Sequence, residues 1–211
     1  LGAMLQYRVL GLAPTTRPFV FGIGLSRTGT TSLNGALQIL GYNAYHLPPI
    51  VKRDKTGLVL DWPWWMNKYD AANDISVASV SKALHRKLPN AKFVLTTREK
   101  AEWLDSCERL FTPWLVETRN RKRQFWILEM RQALYGSVMF ERGRYAEAYD
   151  RFHDDVRDHF RSKPQVLLVY DVIGGEGWER LCGFLGREVP AQGFPCKNRL
   201  AATPDGAPAE T

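Results

Sequence analysis

The stretch GLSRTGTTSL, residues 24–33, sets two glycines, one cation and several hydroxyl groups side by side. Gly24 and Gly29 are separated by four residues, the spacing with which the phosphate loop GxxxxGK[ST] begins, but Thr30 stands where that pattern carries lysine. The missing lysine is the side chain that reaches the β- and γ-phosphates of ATP. A cation is supplied instead from inside the loop by Arg27, two residues before Gly29. Ser26, Thr28, Thr30 and Thr31 add hydroxyls, and Gly29 lets the backbone approach a ligand closely. A helix opening after such a loop aims its unpaired N–H groups and positive dipole end at an anion. The chemistry read here is anion binding without the lysine of a magnesium-ATP site.

A second group lies in TTREKAEWLDSC. Arg98 ends an apolar run and Ser106 follows eight residues later, in a stretch where Trp103, Cys107 and Leu110 mark one helix side. Ligands of open α/β sheets gather at the carboxyl ends of strands, so an arginine there and a serine on the next helix can converge on one phosphate.

These groups need a scaffold, and the hydrophobic pattern supplies one. FVFGIG, residues 19–24, reads as a short buried strand before the loop. Leu33, Ala36, Leu37 and Leu40 follow at helical spacing, with Gly41 as the stop. YNAYHL, residues 42–47, reads as a second strand, and 48–73 as a loop rich in proline and tryptophan. Residues 76–88 read as a helix with Val77, Val80, Leu84 and Leu88 on one face, and KFVLTT as a strand apolar on both faces. Two long amphipathic helices come next. Ile127, Leu134 and Val138 stripe the first, and Tyr145, Tyr149, Phe152, Val156 and Phe160 the second. VLLVY, residues 166–170, is another buried strand, and Trp178, Leu181, Cys182 and Leu185 form a helix face stopped by Gly186. Strands alternating with helices predict an α/β fold: one domain over residues 1–199, a parallel P-loop-type β-sheet flanked by helices, and a disordered polar tail at 200–211.

With arginine inside the loop, SRTGTTSL resembles the 5′-phosphosulfate loop of the sulfotransferases that use PAPS (3′-phosphoadenosine 5′-phosphosulfate). Arginine followed at plus eight by serine is similar to their element for the 3′-phosphate. VLLVYDVIGGEGWERLCGFLG and VPAQGFPCKN resemble the closing strand, helix and FP..N segment of a small branch of that family. The resemblance runs over about residues 18–199. It implies a donor site of Ser26, Arg27, Thr28, Gly29, Thr30, Thr31, Arg98 and Ser106, with Lys197 and Arg199 added from the last segment. It also implies PAPS as donor, PAP as product, and no required metal. Two departures stand out: Arg27 replaces a lysine common in the family, and Cys196 replaces a histidine expected in FPCKN. The acceptor hydroxyl or amine must lose a proton, and two bases are open: His46 at the end of the second strand and Asp74 in YDAANDIS. His46 can equally be a packed residue, and Asp74 can equally cap the helix near Ser76. His85, His153 and His159 read as structural or solvated.

The remaining features set outer limits. The chain has 211 residues and a net charge of +7, from 29 lysines and arginines against 22 aspartates and glutamates. Much of the excess sits in RNRKR, residues 119–123, a solvated helix start or a dock for an acidic acceptor. Cys107, Cys182 and Cys196 are spaced for neither zinc nor a disulfide framework and read as reduced thiols. Lacking signal-peptide and membrane-spanning patterns, the chain is expected to be soluble and cytoplasmic. Nucleic acid is not an expected partner, whereas a nucleotide donor and an unidentified acceptor are. Trp62, Trp64 and Trp65 line an acceptor entrance or staple their own loop. Two other readings compete. An ATP-dependent kinase would use Asp171, after VLLVY, to organise a metal, and a non-catalytic nucleotide- or polyanion-binding module would explain the missing histidine near Cys196.

Overall fold

The computed structural model describes residues 18–111 and 121–196. Five short strands, β1 (Val20–Gly22), β2 (Ala44–His46), β5 (Ala71–Asn73), β6 (Lys92–Thr96) and β7 (Leu167–Tyr170), form one parallel sheet in the order β2-β5-β1-β6-β7. A separate antiparallel hairpin, β3 (Val51–Asp54) and β4 (Gly57–Leu60), follows β2. β1 is buried along its whole length, as a central parallel strand covered on both faces must be.

Alternation along β1 divides the core in two. Val20 packs with Leu33, Ala36 and Leu37 of α1 (Thr30–Ile39) and with Leu181 and Cys182 of α7 (Trp178–Leu185). Phe19, Phe21 and Ile23 point the other way. On that side lie α2 (Ile75–Ala78), α3 (Ser81–Lys87), α4 (Lys100–Phe111), α5 (Arg121–Tyr135) and α6 (Arg142–Phe160). The expected stripe of α6 is confirmed: Tyr145, Phe152, Val156 and Phe160 are buried and Tyr149 packs against them. Gly41 and Gly186 end α1 and α7 with positive φ, 79° and 64°. Among the described residues no helix is long and apolar enough to cross a membrane.

The sheet departs from the sequence reading in one respect that matters. Residues 48–73 are not a loop: they hold the hairpin, a 3-10 turn over Trp64–Lys68, and β5. β5 lies between β2 and β1, so the strand carrying His46 is the sheet edge rather than the neighbour of β1. β5 escapes the sequence because it is three residues long and reads Ala-Ala-Asn, with no β-branched or aromatic side chain. The predicted helix over 76–88 is two helices, α2 and α3, although Val77, Val80, Leu84 and Leu88 are all buried as expected. Val138 lies beyond the end of α5, and Leu110 is exposed rather than on the apolar side of α4. Trp62 is a staple: its ring lies against Phe19 and Phe21 at 5.6 and 6.3 Å, and its Nε1–H donates to Asn67 Oδ1 at 3.0 Å. Trp65 packs on Tyr45, whereas Trp64 is exposed. The side chains of Arg119–Arg123 and the whole of residues 197–211, with Lys197, Arg199 and the tail, lie outside the described residues.

His85 and His153 are buried, not solvated. His85 Nδ1 meets His159 Nε2 at 2.9 Å, joining α3 to the end of α6, and its ring packs on Phe93 and Phe160. Burial, then the neighbouring His159 and Lys163, pushes the His85 pKa down to about 4. The unfolded chain therefore binds a proton near pH 6.5 that the folded chain refuses, so stability is full above that pH and is lost as pH falls toward 4. A loss on the order of 1 kcal/mol between pH 7 and pH 4.5 is expected from this pair in urea melts, and His85→Phe should flatten that part of the profile.

Candidate functional site

The loop after β1 is fastened to the next strand of the sheet. Thr28 Oγ1 donates to Leu25 O at 2.7 Å and lies 2.6 Å from Thr96 Oγ1 at the end of β6. The Thr28 hydroxyl is thus completely buried and spent on the scaffold, and its N–H also donates to Leu25 O. Gly24 makes this possible: a Cβ there would stand 1.8 Å from Thr96 Oγ1 and 2.6 Å from Thr28 Oγ1. Gly29 is the N-cap of α1 at φ 95°, a conformation suited to glycine, and a Cβ on it would press on Val172 at 2.9 Å. Without a side chain, Gly29 offers no cap, and no acidic residue lies in the first turn of α1. The contrast with α4 is clear, since the Glu99 carboxylate accepts from the N–H groups of Ala101 and Glu102. Of these two helices, α4 is capped by a carboxylate and α1 has no side-chain cap at Gly29.

His46 comes to this end of α1 from the sheet edge. Its Nε2 is 3.4 Å from the hydroxyls of both Thr30 and Thr31 and 3.0 Å from Asp74 Oδ2. Asp74 is held in turn: its Oδ1 accepts from the Ser26 hydroxyl at 3.0 Å and from the Ile75 N–H at 2.6 Å. Asp74 therefore both caps α2 and partners His46, which joins the two readings of the sequence. Burial raises its pKa, but the hydrogen bond and charge of His46, with the Ile75 N–H and Ser26 hydroxyl, outweigh burial and leave the carboxyl below its ordinary value. A carboxylate on Nε2 favours the tautomer that carries its hydrogen on that nitrogen and has Nδ1 as the acceptor.

Arg27 and Ser106 meet directly, with Arg27 Nε donating to Ser106 Oγ at 2.9 Å across the gap from loop to α4. Burial, assisted by nearby Arg98 and Arg109, lowers the Arg27 pKa, opposed by Cys107 and Asp74. Arg98 lies within electrostatic reach of Arg27, but its side chain pairs with Glu102 one helical turn on, at 3.3 Å. Arg98 and Ser106 thus flank Arg27 rather than touch each other. Asp171 is occupied in the β7–α7 turn, where Oδ1 accepts from the Gly174 N–H at 2.7 Å. Among the described residues no three His, Cys, Asp or Glu side chains are grouped as a metal site. Cys107 and Cys182 are buried free thiols, and Cys196 is exposed.

Two participants carry no chemical signature in the sequence. Trp103, completely buried, donates its indole N–H to Ser26 O at 2.9 Å, and Tyr149 donates its hydroxyl to Arg98 O at 2.5 Å. Both belong to apolar helix stripes, where spacing reports burial and is silent about a polar tip reaching a distant carbonyl. Backbone strain gathers here too. The described non-glycine residues with positive φ are Arg27 (75°), Leu47 (57°) and Asp74 (87°), one in each segment that builds the site.

Comparisons with known proteins give the family and the fold. A family model described as a sulfotransferase domain matches residues 19–203. The chain is 28% identical over 209 residues to Ava biosynthesis cluster protein M of Aspergillus versicolor, covering 83% of this chain and 79% of that protein. The crystal structure of a sulfotransferase from Alicyclobacillus acidocaldarius superposes with a TM-score of 0.55 at 16% identity, over 90% of this chain and 88% of the other.

Gly24→Ala must separate the loop from β6 and is expected to cost about 3 kcal/mol in urea denaturation. Gly143→Ala, on a helix where a Cβ meets nothing within 4 Å, serves as the near-neutral control.

Proposed function

Because the chain belongs to the sulfotransferase domain family, we propose that it moves a sulfonate group from PAPS to a hydroxyl or amine of a small-molecule acceptor. The observation that carries this reading is the convergence of His46, backed by Asp74, on the first turn of α1, which has no side-chain cap. That arrangement puts a base beside an anion site, which a module that only binds nucleotide does not need. The residues fit the donor: a helix end without a side-chain cap, hydroxyls on Thr30 and Thr31, and a partly buried cation in the loop, Arg27, in place of a lysine and magnesium.

When bound, PAPS supplies a sulfonate joined to phosphate through a labile bond. The α1 end, with Gly29, Thr30 and Thr31, receives the 5′-phosphate, while Ser26 and Thr28 shape the loop from behind. Arg27, steered by Ser106, offers fixed positive charge where the departing phosphate gathers negative charge. Arg98 turns from Glu102 to the 3′-phosphate, with Lys197 and Arg199 as further donor contacts. His46 takes the proton of the acceptor on Nδ1 as the new bond forms, and Asp74 on Nε2 steadies the resulting imidazolium. No metal is needed for these steps. The name of the Aspergillus relative, a biosynthesis cluster protein, favours a small molecule as acceptor.

The donor is tested first, without an acceptor. The melting temperature should rise with PAP, indifferent to magnesium, and a ligand at 100 times its Kd adds about 2.7 kcal/mol. Stabilisation by ATP only in the presence of magnesium would replace the proposal with a kinase. Once an acceptor is found, His46→Ala should lower turnover by about 100-fold or more while PAP affinity stays unchanged. Near-normal turnover would return His46 to a packing role.

A further inference from the structure

The carbonyls of Ser26 and Arg98 lie outside the sheet ladder. The last ladder bond near Arg98 is Thr97 N–H to Tyr170 O at 2.9 Å, and the loop bonds around Ser26 run to Leu25 O instead. Each carbonyl is taken up by a ring from the helical layer: Ser26 O by Trp103 of α4, and Arg98 O by Tyr149 of α6. The two rings touch, with centroids 5.0 Å apart and planes tilted by 47°. Loop and strand exit are therefore fastened to one packed pair. Tyr135 and Tyr145 close around Trp103 at 5.9 and 6.0 Å and leave it little freedom.

In a trans peptide the C=O and N–H point in opposite directions. Drawing Ser26 O toward Trp103 therefore turns the N–H of the same peptide, that of Arg27, away from the indole. The same Ser26 gives its hydroxyl to Asp74, so the indole also bears on the carboxylate that holds His46. Tyr149 does for the Arg98 segment what Trp103 does for the loop.

We propose that Trp103 and Tyr149 are positioning residues that fix the spacing between loop 24–31 and Arg98, and so set the preference for a nucleotide phosphorylated at both its 5′ and 3′ positions. The proposal rests on the donor reading above, in which those two segments meet the two phosphates. Neither residue touches the donor. Their effect passes through backbone carbonyls, and substitution leaves every charged group in place.

Tyr149→Phe removes one oxygen and keeps the ring. By calorimetry, PAP affinity should fall about fivefold to tenfold, the equivalent of one lost hydrogen bond, while 5′-AMP affinity stays within about twofold. Trp103→Phe acts on the loop that meets the 5′-phosphate of both nucleotides, so it should weaken both, and PAP by more. It empties part of a tight core, so Tyr149→Phe carries the test if the tryptophan variant does not fold. Equal weakening of both nucleotides with a lowered melting temperature would show an ordinary packing role and overturn the proposal, as would an unchanged ratio of the two affinities. A wild-type protein with no preference for PAP over 5′-AMP would overturn the donor reading itself, an outcome visible before any variant is made.

Discussion

The loop between β1 and α1 passes so close to β6 that nothing larger than a hydrogen fits at residue 24. That contact fixes where α1 begins, because Thr28, pinned to Thr96 and Leu25, is followed at once by the left-handed Gly29 and the first turn of the helix. The orientation of the N-terminal end of α1 is thus decided by strand packing rather than by the helix. A loop held this way suffers little reorganisation when an anion arrives, which is the physical content of a preorganised site.

The His46–Asp74 pair is built from a different part of the sheet. β5 enters between β1 and β2 and ends at Asn73, so the following residue, Asp74, stands beside the end of β2, where His46 is located. Asp74 adopts φ 87° and ψ −174°, a region that glycine ordinarily occupies. The strain, on the order of 1–3 kcal/mol, is sustained by three partners at one carboxylate: the Ile75 N–H, by which Asp74 caps α2, the Ser26 hydroxyl, and His46. The carboxyl remains ionised despite its burial because those donors converge on it.

Behind the loop, α4, α5 and α6 form an aromatic layer of Trp103, Phe111, Tyr135, Tyr145 and Tyr149. Such rings bury large apolar areas and lose few rotamers, so they make a stiff support. Here two of their polar tips are turned toward the site. The same residues pack the core and hold backbone carbonyls of the loop and of the β6 exit.

The sequence by itself determined the loop, the family to which it points, the alternation of strands and helices, and the identity of Arg27, His46 and Asp74 as the groups worth attention. Those are local matters: glycine spacing, the missing lysine, and runs of apolar residues with period two or 3.6. Only the tertiary structure decided that β5 separates the first two strands, that Asp74 caps a helix and holds His46 at once, that Ser106 engages Arg27 while Arg98 turns to Glu102, and that Trp103 and Tyr149 hold carbonyls at Ser26 and Arg98. Apart from two local contacts, the Asp74 cap on Ile75 and the Arg98–Glu102 pair, each of these joins residues far apart in the chain or rests on a strand too short and too small-chained to show a pattern. Spacing along a chain reports which face a side chain takes; which partner it meets there depends on how the elements pack against one another.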